Sequence, residues 1–186
     1  MSRLEALESQ VSDILMYARS GEQTVKLLDA VDLVEGVTSS VASVVERSGA
    51  NLTTNIGPRP MKMLGNVTAL NGAITNLVTN AIEAGAKNVM IELVSNAKNV
   101  MISVKNDGPM ISQSTCAKIF EPFYTTKSNG TGLGLAVVAA VAKVHQGNVS
   151  LTSNEQETVF TITIPKYEGN LEPSESLNVA VEQSVA

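Results

Sequence analysis

Apolar residues along this chain recur at two periods, and the switches between them mark out the elements. Leu4, Leu7, Val11, Ile14 and Ala18 are spaced three and four apart, with Arg3, Glu5, Glu8 and Asp13 between them. That spacing predicts an amphipathic helix with a short coiled-coil-like seam, ended at Gly21. So short a seam needs a partner to be stable. A second helix is predicted from near Asp32 to about Gly49, carrying Leu33, Val34, Val37, Val41, Val44 and Val45. Asn51 to Ile56 and Met61 to Leu64 read as short strands about a Gly57-Pro58 turn. A long helix follows from about Thr68 to Ala84.

Beyond it the period drops to two. Val89 to Val94 and Val100 to Val104 alternate and are joined by Ser95-Asn96-Ala97-Lys98, which predicts a β-hairpin. Asn106 to Gly134 is dense in Gly, Pro, Ser, Thr and Asn and reads largely as loop. Leu135 to Val144 is apolar nearly all round, as a buried helix is. Strands at Val149 to Thr152 and Val159 to Ile164 close the pattern. Lys166 to Ala186 holds four Glu and one Lys with little aromatic content, and is expected to be a disordered tail. Helices grouped with hairpin-connected strands make an α+β fold, a two-layer α/β sandwich. A doubly wound parallel sheet would need a regular β-α-β alternation that is missing.

Composition narrows the chemistry. With 186 residues and 44% apolar positions, the chain can bury a sizeable core without disulfides. A net charge of −5 argues against a general nucleic-acid or anionic-membrane surface, though not against one local anion site built from backbone amides. The single cysteine, Cys116, excludes an intrachain disulfide and points to the cytoplasm. The single histidine, His145, excludes multi-histidine metal sites. No run of apolar residues is long enough to span a bilayer.

Four segments carry candidate chemistry. Asn76, Asn80 and Glu83 lie four and three apart, so the long helix presents them on one face. Their carbonyl oxygens suit a hard cation such as Mg2+, although alone they read first as ordinary helix residues. Asn106-Asp107-Gly108-Pro109 follows a strand and is either a plain turn or a place where Asn or Asp meets a base amine. Gly130-Thr131-Gly132-Leu133-Gly134-Leu135 leads into the buried helix. It is either a flexible connector or a set of amide N–H groups that suits phosphate. It matches neither the dinucleotide fingerprint nor a Walker A loop. Ile119 to Lys127 holds three of the six aromatic residues. That clustering fits either a satellite hydrophobic cluster or a mobile flap anchored by Phe120 and Phe123 that delivers Lys127 to a phosphate.

Taken together and in order, these segments resemble the nucleotide-binding signature of the GHKL ATPase superfamily, and most closely the catalytic domain of sensor histidine kinases. Asn76 to Ala84 resembles the N box, Asn106 to Pro109 the first glycine box, Ile119 to Lys127 the F box, and Gly130 to Leu135 the second glycine box. The resemblance covers roughly residues 24 to 165 and implies a Bergerat-type sandwich that binds ATP. Residues 1–20 resemble the end of the second helix of a dimerisation hairpin. The Thr125-Thr126-Lys127 form of the F box is similar to that of nitrogen-regulatory-type kinases, which serve sigma-54-dependent response regulators.

The resemblance also implies roles. Asn80 would hold Mg2+, and Asn76 would sit near the γ-phosphate, where related hydrolases such as Hsp90 and MutL carry a Glu that activates water. Asn76 therefore favours transfer over hydrolysis. Gly108 would lie under the adenine, with Thr158 ordering water beside it. Gly130, Thr131, Gly132, Leu133 and Gly134 would meet the phosphates, and Lys127 would approach them from the lid. The adenine-reading Asp of the family aligns with Asn106, and Asp107 follows it. The uncharged amide implies weaker ATP binding, and Met110 stands where a second glycine is usual, so that the lid hinge is expected to be stiffened or crowded. The partners implied are ATP, a phosphoacceptor hairpin within a homodimer, and a response regulator. The phosphoacceptor His belongs on a first dimerisation helix that no segment here matches. His145 is expected to serve structure at a helix end, and Cys116 to pack in the lid. A serine kinase of the anti-sigma-factor type, or a nucleotide-binding interaction module with weak catalysis, are the other functions compatible with these motifs.

Overall fold

The period-two segments pair into a sheet whose one face is lined by their apolar residues. The structure is a computed structural model that describes residues 25–127, 130–169 and 176–177. In chain order the elements are β1 (Val25–Asp29), α1 (Ala30–Ser48), β2 (Asn51–Ile56), β3 (Lys62–Gly65), α2 (Val67–Glu83), β4 (Asn88–Ser95) and β5 (Asn99–Asn106). They continue as α3 (Gln113–Cys116), α4 (Gly134–Val144), β6 (Asn148–Ser153), β7 (Thr158–Pro165) and β8 (Ser176–Leu177). Five strands form one sheet in the order β2-β4-β5-β7-β6. Only β2 and β4 run parallel. The β3 and α2 segments make the crossover that a parallel pair requires.

Register explains the buried face. Ile91 pairs with Val104, Val104 with Phe160, and Phe160 with Leu151, while Leu93, Ile102, Ile162 and Val149 make the next row. Helices α1, α2 and α4 pack side by side over these rows, and the core they share includes Val34, Val37, Ile74, Leu77, Val78, Val137 and Val138. The other sheet face is polar. On its central strand Ser103 is hydroxyl-bonded to Thr161 at 2.9 Å and Lys105 pairs diagonally with Glu92 at 2.8 Å. The two-layer sandwich expected from the pattern is the fold observed.

Local chemistry sets the helix ends. Asp29 caps α1 by accepting from Val31 N at 3.0 Å, and Gly49 closes it in the left-handed conformation at φ 69°. Asn66 caps α2 by accepting from Ala69 N at 2.9 Å. The α1 helix thus begins before Asp32, because the side chain that starts it lies three residues upstream.

Three elements differ from the pattern-based expectation. β1 was not anticipated, since only Leu27 of its five residues is buried and no alternation marks it. It is a strand because β3 pairs with it, Leu27 against Leu64 and Leu28 against Met63. The short helix α3 lies inside the expected loop, capped by Ser112. The sequence after Pro165 is also held further than expected. Lys166 N donates to Lys98 O, Tyr167 N donates to Lys62 O, and Ser176–Leu177 pair with β1. The helix expected over Leu4 to Ala18 lies outside the described residues.

His145 sits at the C-terminal cap of α4 and is 6% exposed. Its Nδ1 donates to Val141 O at 2.7 Å and its Nε2 accepts from Asn66 N at 2.9 Å. Both ring nitrogens are committed to the neutral form, and burial pulls the imidazole pKa below its ordinary value against the opposing Val141 bond. A folded-state pKa below the unfolded one means that the unfolded chain takes up the proton more readily. Stability from this group is complete above about pH 6.5 and is lost as pH falls below it toward the folded pKa. Urea denaturation between pH 5 and 8 is expected to show this decline, and His145→Gln is expected to flatten it. An unchanged slope in the variant would assign the decline to other groups.

Candidate nucleotide site

The cleft is built from α2 outward. Its apolar residues Ala73, Ile74, Leu77, Val78 and Ala81 are buried in the core, which turns Asn76, Asn80 and Glu83 toward the other side. Across from them lies the N-terminus of α4. Asn76 Nδ2 reaches Gly134 O at 3.4 Å. A Cβ on Gly134 would stand 3.8 Å from Asn76 Nδ2 and 3.9 Å from Asn80 Nδ2, so it would fill the gap between the two elements. Two segments 58 positions apart in sequence are thus brought face to face.

The lid is tied to the same place by backbone contacts. Phe123 N donates to Gly132 O at 2.9 Å, and a side chain on Gly132, at φ 68°, would collide with the Phe123 backbone. Thr125 Oγ1 accepts from Lys127 N at 3.1 Å, and Gly130 N donates to Lys127 O at 3.2 Å. A Cβ on Gly130 would approach Thr125 Oγ1 to 2.5 Å. Glycines 130 and 132 therefore let the aromatic segment fold against the glycine-rich one. Thr131 Oγ1 accepts from Leu133 N at 3.2 Å, which starts the turn into α4.

Lys127 reaches α2 from this lid. Its Nζ donates to Asn80 Oδ1 at 2.9 Å and to Glu83 Oε2 at 2.5 Å. The flap anchors divide unequally. Phe120 packs edge-on against Phe160 with ring centroids 6.2 Å apart, whereas Phe123 is 75% exposed at φ 67°. Phe123 does not anchor the flap with its ring, because its backbone is what holds to Gly132.

The other end of the cleft carries a polar relay. Asn106, 7% exposed, accepts from Gly108 N at 3.0 Å and donates to Thr158 O at 3.3 Å. Thr158 Oγ1 bonds Ser153 Oγ at 2.6 Å, and Ser153 Oγ accepts from Ile111 N at 2.9 Å. The relay joins β5, β7, β6 and the start of the lid. Ser153 had no signal in the sequence, because it lies on an alternating strand with nothing to distinguish it. Gly108 lies against Ala84 and Ala86 at the end of α2.

Asp107 points elsewhere. Its carboxylate accepts from Lys87 N, Asn88 N and Asn88 Nδ2 at 2.8 to 2.9 Å. The Asn88 backbone bond is the main reason its pKa lies below the ordinary carboxylate value. These bonds commit Asp107 to the α2–β4 turn, whereas the sequence set it beside Asn106 in the base site. Met110 is 56% exposed. Cys116 Sγ is half-buried and contacts Ile111 O at 3.6 Å.

This sheet, its three covering helices and the cleft at their edge define the α/β sandwich of the GHKL ATPases. The chain belongs to the family described as histidine kinase-, DNA gyrase B-, and HSP90-like ATPase, whose sequence model matches residues 65–168. It is 31% identical over 152 residues to the sensor histidine kinase CpxA of Escherichia coli, covering 77% of this chain and 33% of that protein. Among solved structures it resembles the nucleotide-free catalytic domain of the histidine kinase ThkA, with TM-score 0.71 and 28% identity over 77% of this chain and 99% of that one. It also resembles ThkA in complex with the response regulator protein TrrA, with TM-score 0.73 and 26% identity over 88% of this chain and 48% of that one. The chain thus spans about a third of the length of CpxA. It is an ATPase domain homologous to those of sensor histidine kinases. No helix among the described residues is long and apolar enough to cross a membrane.

The donor set also fits a metal. Asn80 Oδ1 and Glu83 Oε2 converge on one positive atom, Lys127 Nζ. Two oxygens able to share a cation are the ligand type that Mg2+ takes alongside phosphate.

Proposed function

We propose that this chain supplies the ATP-binding catalytic domain of a cytoplasmic sensor histidine kinase, and that it transfers the γ-phosphoryl group of Mg-ATP to a histidine other than His145. The observation that carries the reading is the facing of Asn76 and Asn80 on α2 with Gly134 at the start of α4. A helix N-terminus opposite two amides offers donors and positive potential to phosphates. His145 is excluded as acceptor because both its nitrogens are bonded inside the core.

In this reading residues 24–165 are the ATP-binding unit, residues 1–20 the end of a dimerisation helix, and residues 166–186 a tail. Asn80 holds Mg2+, which when bound draws charge from the phosphate oxygens. The amides of Gly130, Thr131, Gly132, Leu133 and Gly134 surround the phosphates, and Lys127 neutralises charge on the group in transfer. Phosphoryl transfer asks little covalent chemistry of the protein, so positioning and charge carry the rate. Asn76 has no carboxylate to activate water, which keeps the phosphoryl group for a side chain. Asn106, Gly108 and Thr158 receive the adenine.

The partners in this reading are a phosphoacceptor hairpin within a homodimer and a response regulator. ThkA, crystallised with TrrA, supports the second. The Thr125-Thr126-Lys127 motif supports a nitrogen-regulatory-type kinase that serves a sigma-54-dependent regulator, the group that includes flagellar-regulatory sensor kinases.

The decisive experiment incubates the chain with γ-labelled ATP and a separately produced His-bearing dimerisation hairpin from a kinase of this type. Acid-labile label on the hairpin is the expected result. Label on a serine of another protein would replace this reading with the serine-kinase one. Base recognition has its own test. Asn106→Asp is expected to raise ATP affinity about fivefold in calorimetry, since a charged acceptor bonds a base amine more strongly. Loss of the bond to Thr158 O is expected to lower the melting temperature slightly. Unchanged affinity would remove Asn106 from the base site.

A further inference from the structure

Glu83 is the only charged residue among the seventeen of α2, and it stands at the C-terminal end, where the helix dipole disfavours a carboxylate. What offsets that placement is Lys127, reached across 44 positions of sequence. Lys127 is in turn aimed by its backbone, which Thr125 and Gly130 hold on either side. Its ammonium rests on Asn80 Oδ1 as well as on Glu83. A cation therefore already sits on the oxygen assigned above to the metal.

We propose that Glu83 is a positioning residue that parks Lys127 on Asn80 when no nucleotide is bound, so that the ammonium stands in for the metal and Mg2+ frees it. Both side chains are partly exposed, at 40% and 43%, and an exposed pair of this kind is weak enough for a divalent cation to open. Mg2+ competes for the same two oxygens, and the released ammonium is then available to the phosphates that arrive with the metal. One exchange thus coordinates three groups. A nucleotide that comes without metal meets Asn80 occupied and a carboxylate facing its phosphates, so the pair also favours Mg-ATP over free ATP. The metal step rests on the reading of Asn80 as a Mg2+ ligand, whereas the ion pair does not.

Limited trypsin digestion of the full chain without nucleotide tests this directly, because trypsin must take the Lys127 side chain. Cleavage after Lys127 is measured by mass spectrometry relative to cleavage after Lys98, an exposed turn residue. Millimolar MgCl2 is expected to accelerate the wild-type cut about three- to fivefold over NaCl of equal ionic strength. Glu83→Gln is expected to show the faster rate with or without Mg2+. A wild-type rate indifferent to Mg2+, or a Glu83→Gln rate equal to that of the wild type, would overturn the proposal. Calorimetry with Mg-AMPPNP separates the two readings. Failure to bind it while Mg2+ still frees Lys127 removes the nucleotide site and keeps the exchange. Binding with an unaltered Glu83→Gln digest removes the exchange alone.

Discussion

Replacing Asn80 by Ala is expected to weaken Mg-ATP binding about a hundredfold or more while leaving the fold intact. The side chain is half-buried, lies on the polar face of α2, and among the described residues accepts a hydrogen bond from Lys127. Its removal deletes no core volume and leaves no buried donor unpaired, so the melting temperature should move by no more than a couple of degrees or so. Binding is different. Loss of a ligand oxygen costs at least as much as loss of the groups that merely orient ligands, which is on the order of ten- to a hundredfold in metal affinity. Calorimetric titration with Mg-ATP gives the answer. Affinity within threefold of the wild type would place the metal elsewhere and undo the site as drawn.

Leu77→Ala should do the reverse. Leu77 is 1% exposed and lies three residues before Asn80, turned into the core at the edge of the cleft face of the same helix. It belongs to the core shared with α1, α4 and the sheet, where a truncated side chain leaves a cavity that rigid neighbours fill poorly. Such truncations cost about 2–5 kcal/mol, and α2 packs against both other long helices, so the upper half of that range is expected. Urea denaturation at pH 7.5 measures it, and Leu77→Met, which conserves volume, should cost less than about 1.5 kcal/mol. A loss under about 1 kcal/mol for the alanine variant would mean that this face of α2 is not the centre of the core. The two substitutions lie less than one helical turn apart and separate affinity from stability.

That separation shows why α2 could be read from sequence. Apolar and polar residues alternate with the helical period over its whole length, so the core face and the cleft face are both written in spacing. The strands β4, β5 and β7 were legible for the equivalent reason at period two. β1 was not, because its partner lies more than thirty residues away and its own residues show no alternation. The site divides in the same way. The structure brings Asn76, Asn80 and Lys127, named from two separate motifs, close to one another. Asp107 looked equivalent to Asn106 by type and adjacency, yet successive residues at a strand end point in opposite directions, and the Asn88 turn claimed its carboxylate. Phe123 carried the expectation of an apolar anchor, but a positive φ turned its ring outward. Ser153 could be found only through the pairing that sets it beside Thr158.

The bond from Asn66 N to His145 has a consequence for how the cleft keeps its width. α2 and α4 lie antiparallel and are pinned twice, at Asn76–Gly134 within the cleft and at Asn66–His145 beyond it. At about 1.5 Å per helical residue the two pins stand roughly 15 Å apart along the helices. A pair of rigid rods fastened at one end opens or closes at the other by leverage. Tilting α4 at the His145 pin would shift Gly134 relative to Asn76 with no substitution in the cleft. Engineering of nucleotide affinity in this domain should therefore include Gly65, Asn66 and His145, which meet at the far end of the two helices from the Asn76–Gly134 contact.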